Sequence, residues 1–172
     1  MRMLILIFTL LISNTLFAKP LPTQKNVDVS RYIGKWYAHY SLPQFFTRKC
    51  KAQTAEYEII DSKTISVLNT CIKEEGIETI KGQALVTNPK HNSKLIVTFD
   101  SFFTRLFRVK GDYTIIKLDD DYEYVLVGSE DRESLWLMSR SVQEIPKNVK
   151  HYYLNYAQSL GFETIELKKS KF

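Results

Sequence analysis

TAEYEIIDSKTISVLN, residues 54–69, carries the pattern that decides the fold. In its first half Ala55, Tyr57 and Ile59 alternate with Thr54, Glu56 and Glu58, a period of two that sets one strand face against an apolar interior and the other in water. Asp61, Ser62 and Lys63 then supply a turn, and TISVLN returns as a second strand. The unit recurs along the chain. Gln83 to Thr87, Leu95 to Phe99, Tyr113 to Leu118, Tyr122 to Val127 and Leu135 to Ser139 are short apolar runs, separated by turn signals such as Asn88-Pro89 and Asp119 to Asp121. With an opening strand entered at Gly34-Lys35-Trp36, eight strands follow one another with no helix between them. That order favours an antiparallel meander over a βαβ arrangement, and closing it into a barrel hides its two edges. The expected fold is all-β: an eight-stranded antiparallel up-and-down β-barrel.

A single helix comes late. From Pro146 to Leu160, Val149, Tyr152, Tyr153, Tyr156 and Leu160 fall on one side, with Pro146 in the first turn and Gly161 as the stop, so this C-terminal α-helix should pack outside the barrel. A last strand is expected over Phe162 to Leu167, and Lys168 to Phe172 as a frayed tail. At the other end, MRMLILIFTLLISNTLFA places one arginine before a run of Leu, Ile and Phe, the shape of a secretory signal peptide over residues 1–18. A bacterial lipoprotein would need a cysteine just after that run, and the first cysteine is Cys50. The expected product is therefore extracytoplasmic, periplasmic or secreted, and soluble after cleavage. It consists of an arm over residues 19–30 and one domain over residues 31–172. The net charge of +5 falls to +4 once Arg2 is removed, too weak and too scattered a balance to argue for nucleic acid. Cys50 and Cys71 flank two strand-like runs in a compartment where disulfides persist, and are expected to be bonded to each other. The loop of about 22 residues so closed corresponds to roughly 3 kcal/mol of chain entropy.

In an up-and-down barrel the start of the first strand, the turn between the sixth and seventh, and the end of the eighth lie at one end. Those places hold Gly34-Lys35-Trp36, Asp119 to Tyr122, and Arg140. A tryptophan there is a large apolar plug, and an arginine can lie over its indole and donate to nearby carbonyls. The sequence resembles the lipocalin family, in the branch of the bacterial lipocalin Blc and apolipoprotein D. The resemblance rests on GKWY at 34–37, GDYTIIKLDDDYEYVLVG at 111–128, LWLMSR at 135–140, and the helix followed by Gly161-Phe162. Four positions after the first motif depart from the usual pattern, namely Ala38, His39, Tyr40 and Ser41. The resemblance implies a cup closed at the Trp36 end and open at the other, with an apolar cavity for a small lipophilic molecule. It favours fatty acids and lysophospholipids, in a role of envelope lipid storage, transport or repair. Gly34, Trp36, Asp119, Tyr122 and Arg140 are then structural.

Strand parity supplies the wall. If Arg140 covers Trp36, then Trp136 and Met138 face inward with it, and Tyr57, Ile59, Val97, Phe99, Tyr113, Ile115, Tyr124 and Leu126 are the other inward candidates, whether as ligand contacts or as ordinary core. Two segments should rim the mouth. SLPQFFTRKCK, residues 41–51, combines Phe45 and Phe46 with basic residues, and DSFFTRLFRVKG, residues 100–111, combines Phe102 and Phe103 with Arg105, Arg108 and Lys110. Such aromatic and basic interleaving suits transient contact with an anionic membrane, or the rings fold inward as a lid. Catalysis is disfavoured: His39, His91 and His151 fall in a strand, a loop and a helix, and no nucleophile elbow, His-Glu-x-x-His or phosphate loop is present. No cofactor or metal is expected. The competing readings are a scavenger of a pigment, haem (with His39 or Tyr57 as iron ligand) or a signalling molecule, and a lipocalin-fold enzyme.

Overall fold

A computed structural model describes residues 19–100 and 110–172. A one-turn helix α1, Val29–Tyr32, is capped by the Asp28 carboxylate, which accepts from Ser30 N at 2.9 Å. Eight strands follow: β1 Gly34–Ser41, β2 Ala52–Ile59, β3 Thr64–Ile72, β4 Ile77–Val86, β5 Lys94–Phe99, β6 Lys110–Leu118, β7 Tyr124–Gly128 and β8 Leu135–Ser139. Each pairs antiparallel with the next, and β1 pairs with both β2 and β8, so the sheet closes on itself. Closure leaves the eight strands without the open edges that an unrolled meander would expose. Helix α2, Lys147–Ser159, lies outside, and Gly161, at φ +91°, releases the chain from it.

Two apolar layers result. Inside, Trp36, Tyr57, Val67, Ala84, Val97, Ile115, Val125, Val127 and Met138 form one buried cluster. Outside, Tyr153 and Ala157 of α2 pack with Ile116, Leu126, Leu137 and Phe162 in a second. β6 serves both layers because its register shifts between Ile115 and Lys117, so that Ile115 and Leu118 face the interior while Ile116 faces the helix.

Several boundaries differ from expectation. β4 begins at Ile77, six residues before the expected Gln83. β7 begins at Tyr124, because Tyr122 sits at φ +62° in the preceding turn, where no strand can continue. Residues 162–167 do not form a strand: Thr164–Glu166 make a single 3-10 turn, and the strand β9 is Lys168–Lys169, paired with Tyr40 and Ser41. The tail is docked, since Ser170 N donates to His39 O at 2.8 Å and the Phe172 ring meets Tyr37 and His39 edge-on. The arm is docked as well. Gln24 N reaches Ile115 O and Val27 N reaches His91 O, each at 2.9 Å, and Val27 is buried with the interior cluster. Cys50 and Cys71 are bonded, tying the β1–β2 loop to β3.

Candidate ligand-binding site

The floor is built on Trp36, which is 0% exposed. Its indole Nε1 donates to Tyr32 O at 2.9 Å, fixing the ring against α1. The Arg140 guanidinium lies 3.9 Å from the ring centroid. It donates to the carbonyls of Arg31 at 2.7 Å, Tyr32 at 3.0 Å, Lys35 at 3.1 Å and Tyr122 at 3.3 Å. One side chain thereby satisfies carbonyls from α1, β1 and the β6–β7 turn. Gly34 lies under it at φ +91°, and a Cβ there would sit 3.4 Å from Arg140 Nη1. In the β6–β7 turn the Asp119 carboxylate accepts from Tyr124 N at 2.5 Å, and the Tyr122 hydroxyl accepts from Asp28 N at 2.8 Å. The Tyr122 ring in turn lies beneath the Arg31 guanidinium, 4.1 Å away.

Above the floor, Tyr57, Val97, Ile115 and Met138 are buried in the interior cluster, and Phe99, Tyr113 and Trp136 are partly buried against it. Two of the ten expected wall residues face the other way. Tyr124 and Leu126 belong to the outer cluster beneath α2, and the Tyr153 hydroxyl donates to Tyr124 O at 3.2 Å. The inward residues of β7 are Val125 and Val127, which pair with the inward Met138 and Trp136 of β8. YVLVG is covered on both faces, by the barrel interior and by α2, so it lacks the polar alternation that would have fixed its parity. Ile59 is the last residue of β2 and 48% exposed, outside the interior cluster.

Sequence parity missed Tyr32. It enters the barrel from α1, where no strand period marks it, and its hydroxyl meets that of Tyr113 at 2.5 Å. The Tyr57 hydroxyl donates to Tyr113 at 3.1 Å. Burial pushes the Tyr57 phenol up to about 12, and pushes Tyr32 and Tyr113 well up too, so all three are neutral donors at physiological pH. Gly82 was missed for another reason. A Cβ there would lie 2.4 Å from Thr98 O and 2.9 Å from the Phe99 ring, so the Phe99 ring fills the place a side chain would take.

At the open end, Phe45 is 79% and Phe46 69% exposed, so these two rings do not fold inward. The Arg48 guanidinium covers Phe45 at 4.4 Å, and Ile77, at the start of β4, is exposed at the same end. Lys110 is exposed at the start of β6. Phe102, Phe103, Arg105 and Arg108 lie outside the described residues. His39 is engaged with β8 and the tail. Its Nε2 lies 3.0 Å from Ser139 Oγ and 2.9 Å from Ser141 O, and its ring packs on Phe172. Among the described residues no group of three or more His, Cys, Asp or Glu side chains is placed to hold a metal ion, and no helix is long and apolar enough to cross a membrane.

Comparison with known proteins agrees with this architecture. Residues 27–171 match the Lipocalin-like domain family. Temperature-induced lipocalin-1 of Arabidopsis thaliana is 32% identical over 155 residues, covering 88% of this chain and 83% of that protein. Outer membrane lipoprotein Blc of Escherichia coli K12 is 32% identical over 140 residues, covering 80% and 75%. Among solved structures, insecticyanin from the tobacco hornworm Manduca sexta superposes with a TM-score of 0.70 at 19% identity, covering 91% of this chain and 86% of that one. A family match over nearly the whole described chain, relatives above 30% identity and the same closed barrel leave one assignment: this chain belongs to the lipocalin family.

Proposed function

We propose that the protein is an extracytoplasmic carrier that binds one small lipophilic ligand, a fatty acid or lysophospholipid, inside the barrel and serves envelope lipid storage, transport or repair. Family membership supports binding of a small hydrophobic ligand. The observation that carries the reading is the inner wall. Phe99, Tyr113 and Trp136 are only partly buried although they face the barrel interior, while the floor beneath them is fully packed. Ala38, Ala55 and Ala84 line the same interior and keep the wall thin. An acyl chain laid against such a surface gains roughly 25 cal/mol per Å² of apolar area removed from water, before the costs of association.

Loading takes place at an anionic membrane through the mouth. Exposed Phe45 and Phe46 beside Arg48 and Lys49 support this, since aromatic rings enter the headgroup region while each nearby basic residue contributes on the order of 1 kcal/mol. Native mass spectrometry of the protein purified from its own compartment, followed by organic extraction, tests the carrier reading. Acyl lipid near one per chain is the expected result; a chain that stays empty when offered fatty acids and lysolipids would sink it. Flotation with vesicles rich in phosphatidylglycerol tests the membrane step, and unchanged flotation after Phe45→Ser and Phe46→Ser would count against it.

A further inference from the structure

Four aromatic rings and one guanidinium climb from the closed end into the barrel. Arg140 lies on Trp36 at 3.9 Å, Trp36 meets Tyr32 at 5.3 Å, Tyr32 stacks on Tyr57 at 5.8 Å, and Tyr57 meets Tyr113 edge-on at 6.2 Å. The three tyrosine hydroxyls converge at the top of this ladder, inside an otherwise apolar cluster.

Their protons can be counted. Three hydroxyls bring three protons, and the described structure contains two bonds among them, Tyr57 to Tyr113 and Tyr32 with Tyr113. If Tyr113 donates to Tyr32, the remaining proton is on Tyr32; if Tyr32 donates to Tyr113, it is on Tyr113. Either way, one O–H of this partly buried trio has no acceptor among the described residues and is left to whatever occupies the barrel. A second polar atom is in the same position. Asn69 pairs with the inward-facing Ala55, and its Oδ1 is buried without a hydrogen-bond partner. Its carboxamide, turned over, presents a donor at that place.

The electrostatics select the sign of the missing partner. Arg140 at the foot of the ladder favours negative charge at Tyr32 and Tyr57, although burial outweighs it and keeps both phenols neutral. Among the described residues no carboxylate is buried, so none opposes that field from within the barrel. A group that accepts hydrogen bonds and carries negative charge fits both conditions.

We propose that Tyr32, Tyr57 and Tyr113 form a polar subsite that takes the carboxylate of a fatty acid, so that the ligand enters head first and its acyl chain runs past Phe99 and Trp136 towards the mouth. This rests on the carrier reading and deepens it. It selects a monocarboxylate over a lysophospholipid, whose larger headgroup would stay at the rim. Two of the hydroxyls can rotate to donate when the carboxylate arrives, replacing hydration that the anion loses on burial.

The test uses decanoate labelled with 13C at C2 and at the terminal methyl, with diphenylhexatriene as a probe that has no hydrogen-bonding atom. Nuclear Overhauser contacts from the C2 protons to the Tyr113 or Tyr32 ring are expected, and the same contacts from the terminal methyl would overturn the orientation. Replacing Tyr32, Tyr57 and Tyr113 together by Phe removes every partner at once and leaves no orphaned oxygen. That variant should lose about tenfold or more in affinity for decanoate relative to any change in its affinity for diphenylhexatriene. Unchanged decanoate affinity, or a parent that binds the hydrocarbon but not decanoate, overturns the subsite and leaves the carrier reading standing. A parent that binds neither removes the subsite, and if it also fails to bind lysophosphatidylcholine it removes the carrier reading as well. Should the triple variant fail to fold, the contacts in the parent protein decide.

Discussion

Replacing Arg140 by Ala removes the fastener of the closed end, and the loss can be worked from its contacts. The guanidinium is partly buried against Trp36 at 3.9 Å from the centroid, a geometry that contributes about 1–2 kcal/mol. The bond to Tyr32 O at 3.0 Å is partly buried, and its loss costs about 1 kcal/mol. The bonds to Arg31 O and Lys35 O are exposed, so water replaces the donor and they add a few tenths each. The bond to Tyr122 O is long, at 3.3 Å, and adds little. The sum is about 3 kcal/mol, which for a chain of this length lowers Tm by roughly 6–12 °C. Urea titration followed by tryptophan fluorescence reads it, with the midpoint falling while the slope m stays constant. Arg140→Lys keeps the charge but loses the fork that reaches several carbonyls at once, and should fall between the two. A loss under about 1 kcal/mol for Ala, or a lysine variant as stable as the parent, would refute the fastener role.

Alkaline pH should destabilise the barrel through Tyr57. Its pKa is raised to about 12 by burial, against about 10 in the unfolded chain, so the contribution is complete below pH 10 and is lost as pH rises to 12, about 3 kcal/mol for this residue alone. Absorbance at 295 nm during a pH titration checks it, and a folded protein whose ten tyrosines all ionise near pH 10 would contradict the burial. Leu126→Ala should cost about 2–5 kcal/mol in urea without changing ligand affinity, because Leu126 packs under α2, whereas Trp136→Ala should weaken the ligand; the opposite pattern would reverse the assignment of β7 faces. Replacing Cys50 and Cys71 together by Ser should lower stability by roughly 3 kcal/mol, read as an earlier urea midpoint under non-reducing conditions.

How much of this was legible in the sequence depended on whether a strand had one wet face. β2 alternates over most of its length because its outer face meets water, so Tyr57 was placed inward by period alone. β7 is dry on both sides, and its parity came only from its partners in β8. The floor motif was readable because Trp36 and Arg140 are rare residue types at strand ends, brought together by the closure itself. Tyr32 was not, since a one-turn helix has no period to reveal which way a side chain points. The docked tail left no trace for a related reason. Lys168 and Lys169 pair with β1 through backbone groups, and backbone pairing places no demand on side-chain type, so the segment read as a charged end.

A barrel that accepts a ligand forfeits part of its own packing, because walls facing unfilled space lack attractive partners on one side. On the carrier reading, this chain offsets that deficit away from the lumen. The floor is closed by the Arg140, Trp36 and Tyr32 stack and by the docked arm, and a second dry layer joins α2 to Leu126, Leu137 and Phe162. On the proposed reading, stability and affinity are then carried by different residues over most of the fold. The proposed subsite makes them overlap at Tyr32, whose ring closes the floor against Trp36 and whose hydroxyl meets that of Tyr113. Tyr32→Phe, which keeps the ring and removes the hydroxyl, should separate the two contributions: stability close to that of the parent, and a loss confined to ligands that carry an acceptor.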